Sequence, residues 1–484
     1  MKKHILSLML TAALLLSAFA GCGGETAPVS GKTETPEKTD ASVPPGTGDT
    51  PGENTDPAFD PPEEAEELYP TPDYSGFEMP AATDSLTVYA YSFISSILTP
   101  AVELFKTQYP NVKVDYQILG DDEYDTRLRA EIPAGRGPDL LIGTSALLPD
   151  VYKTMSTKIF TDLGGFMEKD GDYNPSDYNE GVIRGGLLYG RQYILPLTFS
   201  SSCVITSEEL LAENGLTPDS MRTWQGFYEA CQIFHENHPA APLFSHGGNQ
   251  YYLATLYPYI GFRMIDYEKN AVSFDEERFR DMVDLSRLYC YPDIPNEPKF
   301  GEEYMAVHDR NCFFINENTT IITTVTDCLA WRYDYDETPV MLAIPDENDG
   351  VTARIEYYGA VPESSQNKLN AWRLMKILLS NEIQYGEDKE NAPPKTTYPI
   401  GFPVRKESLR KALDSNTYWN GADESDVESF WQLMESVTDS VILPTVIRNY
   451  IIQDMKPYIT SKDGSNYDKQ FAKLMNELEL YKDE

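Results

Sequence analysis

The sequence predicts an α/β fold with mainly parallel sheets. The main observation is that strand-like and helix-like patterns alternate as β-α-β-α-β at the start of the folded region. Leu86–Tyr91 is β-branched and aromatic, Val112–Ile118 alternates apolar and polar side chains, and Gly137–Gly143 is a continuous apolar run. Two helical segments, Pro100–Gln108 and Asp121–Ile132, separate these strands. This order predicts a parallel sheet covered by helices, with right-handed crossovers.

The length of the folded region predicts two lobes. Residues 85–484 contain no second linker-like stretch, and about 400 residues exceed what one core usually holds. Two short strands, 193–199 and 203–206, are separated by three serines. Further strands are predicted at 241–245, 312–315, 320–325, 339–344 and 355–361, and helices at 207–214, 223–236, 276–288, 368–379, 425–438 and 467–480, with a segment 446–456 between the last two.

The N-terminal residues 1–21 have the pattern of an export signal. Lys2 and Lys3 precede an apolar core, Ile5–Phe19, that is too short to span a bilayer as a stable helix. Small residues then lead into Cys22, which resembles the lipobox of bacterial lipoproteins. That resemblance implies acylation of Cys22, palmitate being one expected chain, and anchoring to the cell membrane from an extracytoplasmic position. An ordinary secreted protein with a chance cysteine is the alternative.

Residues 22–84 are predicted to be the lipidated cysteine and an acidic tether. The stretch 23–84 carries 15 acidic and 2 basic residues and almost no aliphatic ones before Leu68. Such a composition cannot bury enough apolar surface to offset chain entropy, so we expect disorder. Proline and self-repulsion predict an extended spacer between the lipid and the folded region.

Charge and cysteine spacing exclude several classes of function. The chain carries a formal net charge of −38, which argues against binding to phosphate backbones, so no nucleic-acid partner is expected. The cysteines after Cys22 show no CxxC spacing, which argues against a zinc site. We expect them to be small buried side chains, and neither a metal nor a cofactor is expected; they are Cys203, Cys231, Cys290, Cys312 and Cys328.

Four segments in order resemble bacterial extracellular solute-binding proteins of the maltodextrin-binding type, family 1. They are Phe105–Val114 (FKTQYPNVKV), Ile132–Gly143 (IPAGRGPDLLIG), the passage from Leu188 (LYGRQYILPLT) through EELLAENGL to TWQGF at Thr223, and the run from Ala371 (AWRLMKILL) to Gly401–Arg405 (GFPVR). Each is weak alone, but their order and spacing over roughly 300 residues argue against coincidence.

The resemblance implies a two-lobed periplasmic-binding-protein-like fold of type II, with a hinge and an inter-lobe cleft. Each lobe is expected to have a mainly parallel sheet flanked by helices, with the ligand bound outside the carboxyl ends of the strands. Lobe 1 is expected at 85–200 with 343–379 returning, and lobe 2 at 201–339 with 380–484 returning. Leu197–Ser202 is the predicted hinge.

By the same resemblance, the ligand-binding residues follow strand ends. Aromatic faces suit the C–H groups of a sugar ring, whereas hydroxyls and amides suit its hydroxyl groups. For each residue the alternative is a structural role in the core or in a turn. The expected ligand-binding residues are Tyr91, Ser92, Phe93, Thr144, Ser145, Ser200 and Ser201 in the first lobe and hinge, and Asn249, Tyr251, Asp327, Trp331 and Tyr358 elsewhere.

The predicted function is capture of a small polar ligand, a sugar or oligosaccharide, by hinge closure and its delivery to the permease subunits of an ABC importer. The protein is expected to be a monomer and not an enzyme, since GxSxG, HExxH and P-loop motifs are absent from the sequence. Two alternatives stay open. Paired carboxylates such as Asp121–Asp122 leave a carbohydrate-active enzyme possible by pattern, and a non-transporting surface sensor or scaffold would share the fold.

Overall fold

A computed structural model describes most of the chain after the predicted tether. It covers residues 72–144, 148, 150–244, 257, 261–289, 303–319, 328, 331–332, 334–385, 401–420, 423–461 and 464–484. The predicted signal segment, Cys22, the tether up to residue 71 and the predicted strand 320–325 lie outside these ranges. No helix within these ranges is long and apolar enough to cross a membrane.

The described residues form alternating strands and helices. The strands are β1 Ser85–Tyr91, β2 Lys113–Leu119, β3 Leu140–Thr144, β4 Leu187–Leu188, β5 Arg191–Gln192, β6 Ile194–Ser207, β7 Ile265–Asp266, β8 Ala271–Val272, β9 Ile315–Thr319, β10 Pro339–Ala343, β11 Thr352–Ala360, β12 Phe402–Pro403 and β13 Asp439–Val441. The helices are α1 Ser95–Gln108, α2 Asp121–Glu131, α3 Val151–Ser156, α4 Gly164–Lys169, α5 Glu180–Arg184, α6 Glu208–Glu213, α7 Trp224–Asn237, α8 Glu276–Tyr289, α9 Glu303–His308, α10 Lys368–Leu378, α11 Asn381–Gln384, α12 Lys406–Asn420, α13 Glu424–Glu435, α14 Thr445–Ile459 and α15 Tyr467–Asp483.

One sheet organises the described part of the chain. Its main path runs β10-β6-β11-β3-β1-β2, with β9 and β12 also paired to β6 and β13 paired to β11. The pairs of β1 with β2, of β1 with β3 and of β11 with β13 are parallel, as the β-α-β-α-β pattern predicts for the first three strands. The pairs made by β6, and the pair of β11 with β3, are antiparallel. The mixed α/β class is confirmed.

The strand β6 corrects one expectation. The sequence predicts two short strands separated by three serines, whereas β6 is a single strand of 14 residues. Its serines are extended and paired, with Ser200 opposite Arg354 and Ser201 opposite both Ala353 and Thr319. Serine alone therefore does not break the strand, because neighbouring strands on both sides satisfy its backbone groups.

Strand β6 passes between two apolar core clusters. Contacts join the described residues into one compact unit, within which the buried side chains form these two groups. The first cluster takes residues from Leu86 to Phe199 and from Ala353 to Ile442. The second takes residues from Cys203 to Ile344 and from Leu443 to Leu478. Within the described ranges the chain crosses between the clusters at 200–202, 345–352 and 442–443.

The first core cluster includes residues that were predicted to belong to the second lobe. Residues 380–442 are assigned to the second lobe by the sequence analysis, but Phe402, Leu413 and Phe430 from this range are fully buried in the first cluster. Packing thus favours a first lobe whose returning segment extends to about residue 442. The C-terminal helices α14 and α15 pack in the second cluster.

The last part of the predicted tether is packed on the folded region. Residues 72–84 are described, and Phe77 and Met79 pack against the first core cluster. The boundary at residue 84 is therefore too late. The aromatic residues Tyr74 and Phe77 distinguish this part from the apolar-poor stretch before it.

The buried carboxylate of Asp139 fastens the first lobe. Its Oδ2 accepts hydrogen bonds from the Thr87 backbone N–H at 2.8 Å and from the Asn367 side-chain amide at 2.9 Å. Its Oδ1 accepts a bond from the Ser365 hydroxyl at 2.7 Å. One carboxylate thus joins β1, the start of β3 and the loop after β11, which explains the Pro-Asp-Leu sequence before β3.

The described cysteines are Cys203, Cys231, Cys312 and Cys328, and all four are buried, as expected. Cys290 lies outside the described residues. Burial raises the pKa of the Cys231 thiol, which suppresses its reactive thiolate form. These thiols act as small apolar core groups.

Replacing the Asp139 carboxylate should destabilise the fold. Asp139→Ala leaves the donors on Thr87, Ser365 and Asn367 without their acceptor, so we expect a loss of about 3 kcal/mol in the free energy of unfolding. Urea denaturation measures this change, with the exposed Asp115→Ala as the control. A loss below about 1 kcal/mol, equal to that of the control, would show that the carboxylate does not fasten the lobe.

Candidate functional site

The candidate site lies where the parallel strands of the first cluster end. Tyr91 ends β1 and Thr144 ends β3. Strand β11 runs beside β3, with Tyr357 opposite Thr144 and Tyr358 opposite Gly143. Because ligands of α/β sheets bind outside the carboxyl ends of strands, this edge is the expected location. The structure brings the predicted residues Tyr91, Thr144 and Tyr358 together there.

Four tyrosines pack at this edge. The rings of Tyr91 and Tyr124 meet edge to face with centroids 6.4 Å apart. Tyr124, Tyr357 and Tyr358 are fully or almost fully buried, and their hydroxyls have no hydrogen-bond partner among the described residues. Burial raises the pKa of the Tyr124 and Tyr358 phenols, so both stay neutral hydrogen-bonding groups. Tyr124 is not among the residues predicted from the sequence, since it lies within α2, five residues after β2 ends.

Gly143 allows the close approach of Tyr358. A Cβ atom at Gly143 would lie 2.8 Å from the Tyr358 hydroxyl oxygen and from the ring carbon that bears it. Neither β3 nor β11 can move away easily, since both are internal strands of the sheet. The glycine at the end of the Pro-Asp-Leu-Leu-Ile-Gly run therefore has a packing role beside the site.

The crossing at Ser200 contains a buried charged group. The Ser200 hydroxyl donates to Oε1 of Glu356 at 2.5 Å, and Nε of Arg354 donates to the same oxygen at 2.7 Å. Ser200 is fully buried and Glu356 is 6 % exposed. Arg354 and Glu356 are two residues apart on one strand and so share a face. The Arg-x-Glu spacing at the start of a predicted strand is the sequence signal that indicates this pair, and the two residues are not among those predicted.

Of the other predicted site residues that are described, Ser92 and Phe93 directly follow Tyr91, whereas Ser201 and Trp331 lie elsewhere. Ser92 begins a short 3₁₀ turn after β1 and is half-buried, Phe93 follows in that turn, and Ser201 is buried in β6. Trp331 is fully buried in the second core cluster, and its indole N–H donates to Glu337 at 3.1 Å, which fits its packing alternative. Four predicted residues lie outside the described ranges: Ser145, Asn249, Tyr251 and Asp327.

A second junction between the clusters lies at the β7–β8 hairpin. The Tyr267 hydroxyl donates to Asp150, the N-cap residue of α3, and the Tyr189 hydroxyl donates to the Tyr267 carbonyl at 3.0 Å. Arg263 pairs with Asp439 at 3.3 Å and lies over the Tyr152 ring at 5.1 Å. These bonds connect residues before Phe199 and after Ala353 with a hairpin that belongs to the second half of the core.

A polar cavity of about 600 Å³ opens beside this junction. Among the predicted ligand-binding residues that the structure describes, none lines this cavity. Its wall includes Arg184, Arg263 and the crossing segment around Glu347. Burial raises the pKa of Glu347 from 4.5 to about 7, and the neighbouring Asp346 and Asp275 carboxylates add to the shift. Groups of three or more side chains that could hold a metal are absent from the described residues.

Comparison with known proteins agrees with this geometry. Residues 91–267 match the model of the family described as bacterial extracellular solute-binding protein. The fold is similar to the sugar-binding protein MalE of Xanthomonas citri, with 15 % identity, a TM-score of 0.58 and coverage of 82 % of this chain and 97 % of that one.

Two further solved structures have the same fold. The cyclic alpha-maltosyl-1,6-maltose binding protein of Arthrobacter globiformis has 16 % identity and a TM-score of 0.53, over 83 % of this chain and 99 % of that one. A sugar transporter of Rhizobium etli in an open conformation has 15 % identity and a TM-score of 0.52, over 82 % and 99 %.

The fold and the site define a class of protein. The chain has the two-lobed fold of the periplasmic binding proteins, and the resemblance predicted from the sequence is confirmed. More particularly, residues 91–267 carry the sequence pattern of the bacterial extracellular solute-binding proteins. This stretch runs from the end of β1 to the β7–β8 hairpin and includes all of β6.

Adding a methyl group at Gly143 should disturb the tyrosine packing. Gly143→Ala forces Tyr358 off its position, so we expect a loss of about 1–3 kcal/mol in the free energy of unfolding. Gly171→Ala, where a Cβ meets nothing within 4 Å, is the matched control. Chemical denaturation of both variants measures the difference, and equal stability would mean that Tyr358 can yield at no cost.

Glu347 should make stability depend on pH. The folded state binds its proton more tightly than the unfolded chain, since burial raises the pKa of Glu347 from 4.5 to about 7. The free energy of unfolding should therefore decrease as pH rises from 4.5 to 7. Glu347→Gln should reduce this decrease. A smaller dependence should remain from Asp281, whose pKa burial raises to about 6.

Urea midpoints at pH 4.5 and 7.5 test this expectation. The exposed Glu277→Gln serves as the control and should follow the wild-type profile. If Glu347→Gln also follows that profile, the Glu347 carboxyl does not favour its protonated form in the folded protein.

Proposed function

We propose that this protein is the extracytoplasmic solute-binding component of an ABC importer, which captures a carbohydrate between two lobes and delivers it to membrane permease subunits. The observation that carries the proposal is the division of the core into two clusters joined by three described crossings, with the candidate site at the strand ends beside them. Such an arrangement allows hinge closure around a ligand.

The proposed lobes follow the two core clusters. The first lobe takes residues 85–200 and the returning segment 353–442, and the second takes 203–344 and 443–484. The predicted hinge Leu197–Ser202 includes the crossing of β6, where Glu356 accepts bonds from Ser200 and Arg354. A hydrogen-bonded pair of strands can twist while its backbone bonds persist, so β6 and β11 suit a hinge.

The chemistry of the strand ends supports a carbohydrate ligand. Ser92 and Thr144 are half-buried beside the four tyrosines, and a hydroxyl group can both donate and accept hydrogen bonds with a sugar. The proteins from Xanthomonas citri and Arthrobacter globiformis are named for binding a sugar and a cyclic maltosyl-maltose. We propose a sugar or oligosaccharide of that kind for this chain.

The ligand is proposed to be bound without chemical change. The matching family and the similar structures are binding proteins, and the described residues at the strand ends supply hydroxyl and aromatic groups. We further propose that Cys22 carries a lipid that anchors the protein to the cell membrane. The acidic stretch after it would then separate the two lobes from the lipid surface.

Thermal unfolding with candidate sugars tests the proposal. Maltose, maltotriose and cyclic maltosyl-maltose should be added to the purified protein at up to millimolar concentration. A ligand at 100 times its dissociation constant should stabilise the folded state by about 2.7 kcal/mol and raise Tm. Ser92→Ala should then weaken binding of the best probe about fivefold, corresponding to about 1 kcal/mol for one hydrogen bond.

The control for Ser92→Ala is a serine within a helix rather than at the strand ends. Ser429→Ala, whose exposed hydroxyl bonds only to Ser425 O on α13, should bind like the wild type. No shift with any carbohydrate would contradict the proposed ligand class. Release of shorter sugars, detected by chromatography after incubation, would contradict binding without chemical change and favour a carbohydrate-active enzyme.

A further inference from the structure

The segment just before β1 is held on the first lobe by an aromatic contact. The Tyr74 hydroxyl lies 2.9 and 2.8 Å from the two carboxylate oxygens of Asp162, which also pairs with Arg191 at 2.7 Å. A tight turn precedes Phe77, whose backbone N–H donates to the Tyr74 carbonyl at 2.9 Å. Tyr74 is thereby placed against the loop that leads into α4.

Two consecutive glycines provide room for the two rings. A Cβ atom on Gly164 would overlap the Tyr74 hydroxyl, and one on Gly165 would lie 2.5 Å from a ring carbon of Phe77. The Phe77 ring meets Phe166 edge to face with centroids 5.1 Å apart. A side chain at either glycine would displace a ring, so the Gly-Gly pair is matched to this segment.

The same segment is fastened again where it joins the sheet. The buried Asn370 side-chain amide donates to the Thr83 hydroxyl at 2.9 Å and to the Ser85 carbonyl at 3.1 Å. The Lys113 backbone N–H donates to the Asp84 carbonyl at 2.8 Å. Residues 73–84 are thus bound at both ends by residues from the first half of the chain and from α10.

The attachment point lies at the base of the first lobe. Asp162 is followed by Leu163, whose N–H donates to the carbonyl of Gln192 at 2.7 Å, two residues before β6 begins. β6 runs antiparallel to β11, as β3 does, so β6 and β3 point the same way and Tyr74 sits near their amino ends. The candidate site lies at the opposite, carboxyl ends of β1 and β3.

We propose that residues 73–84 form a clasp that fixes the acidic tether to the base of the first lobe. The tether then leaves the protein beside Asp162 and Arg191, at the end of the lobe remote from the candidate ligand site. Among the described residues, those that hold this segment belong to the first lobe. The inference rests on the proposed function for the existence of a cleft, but the clasp itself does not.

Hydrogen–deuterium exchange of the full chain without its signal segment tests the clasp in the absence of ligand. Backbone amides of residues 74–84 should exchange slowly in the wild type. Gly165→Ala should accelerate their exchange about tenfold or more, since the added methyl group displaces Phe77. Gly171→Ala, whose added Cβ meets nothing within 4 Å, should leave the exchange unchanged.

A second variant separates the clasp from the stability of the lobe. Tyr74→Phe removes only the bond to Asp162, so it should accelerate exchange of residues 74–77 severalfold while the rest of the first lobe keeps its wild-type protection. Exchange of residues 74–84 at the rate of an unfolded chain in the wild type would overturn the proposal. So would equal exchange in the Gly165→Ala and Gly171→Ala proteins.

The sugar titrations distinguish this inference from the proposed function. If the clasp exists but no carbohydrate binds, slow exchange of residues 74–84 persists and only the ligand class fails. If carbohydrate binds and the segment exchanges freely, the clasp fails alone. Tyr74→Phe should bind the best sugar probe as the wild type does, because Tyr74 lies at the opposite end of the lobe.

Discussion

The backbone pairing of β6 with β11 is the constraint on which the rest of the structure depends. Strand β6 begins in one apolar core and ends in the other, and β11 starts beside the crossing and continues into the first core. Any movement between the halves must therefore deform this pair. The bonds from Ser200 and Arg354 to Glu356 give the crossing a polar interior in place of apolar packing. Polar groups that remain bonded to each other tolerate a small twist better than interdigitated side chains, which resist it.

The first lobe is constructed so that its strand ends are rigid. Asp139 holds the start of β3 to β1 and to the loop after β11, while Gly143 admits Tyr358 at the other end of the same strand. The short strand β3 is thus held by specific contacts at both of its ends. A site built on such a support presents its side chains in a fixed arrangement, which lowers the entropic cost of binding.

Local sequence patterns predicted the first three strands well. The alternation of Val112–Ile118 and the apolar run before Gly143 identify strands because each pattern reflects burial on a known side of a sheet. The three central serines of β6 were expected to separate two strands. Their extended form depends on β9 and β11, which lie more than 100 residues later in the chain. The helix α12 was also not predicted from the sequence. Its sequence is polar, and its buried Leu409 and Leu413 mark one face only once the first core is known.

The candidate site was predicted in part. Tyr91, Thr144 and Tyr358 could be placed because strand ends in a parallel sheet share one edge. Tyr124 could not be placed, since a residue within a helix gains its position relative to the strand ends only from tertiary packing. The predicted end of the tether at residue 84 was too late. The stretch 23–84 is poor in apolar residues as a whole, but the few aromatic residues near its end attach that end to the protein.

The burial of the four described cysteines has a practical consequence. Thiol reagents attack the thiolate, and burial in apolar surroundings both blocks access and opposes ionisation, as at Cys231. A single thiol introduced on the surface of either half would therefore react well before these four. Fluorescent or spin labels could be attached in pairs across the crossing without first removing these native sulfur atoms from the core.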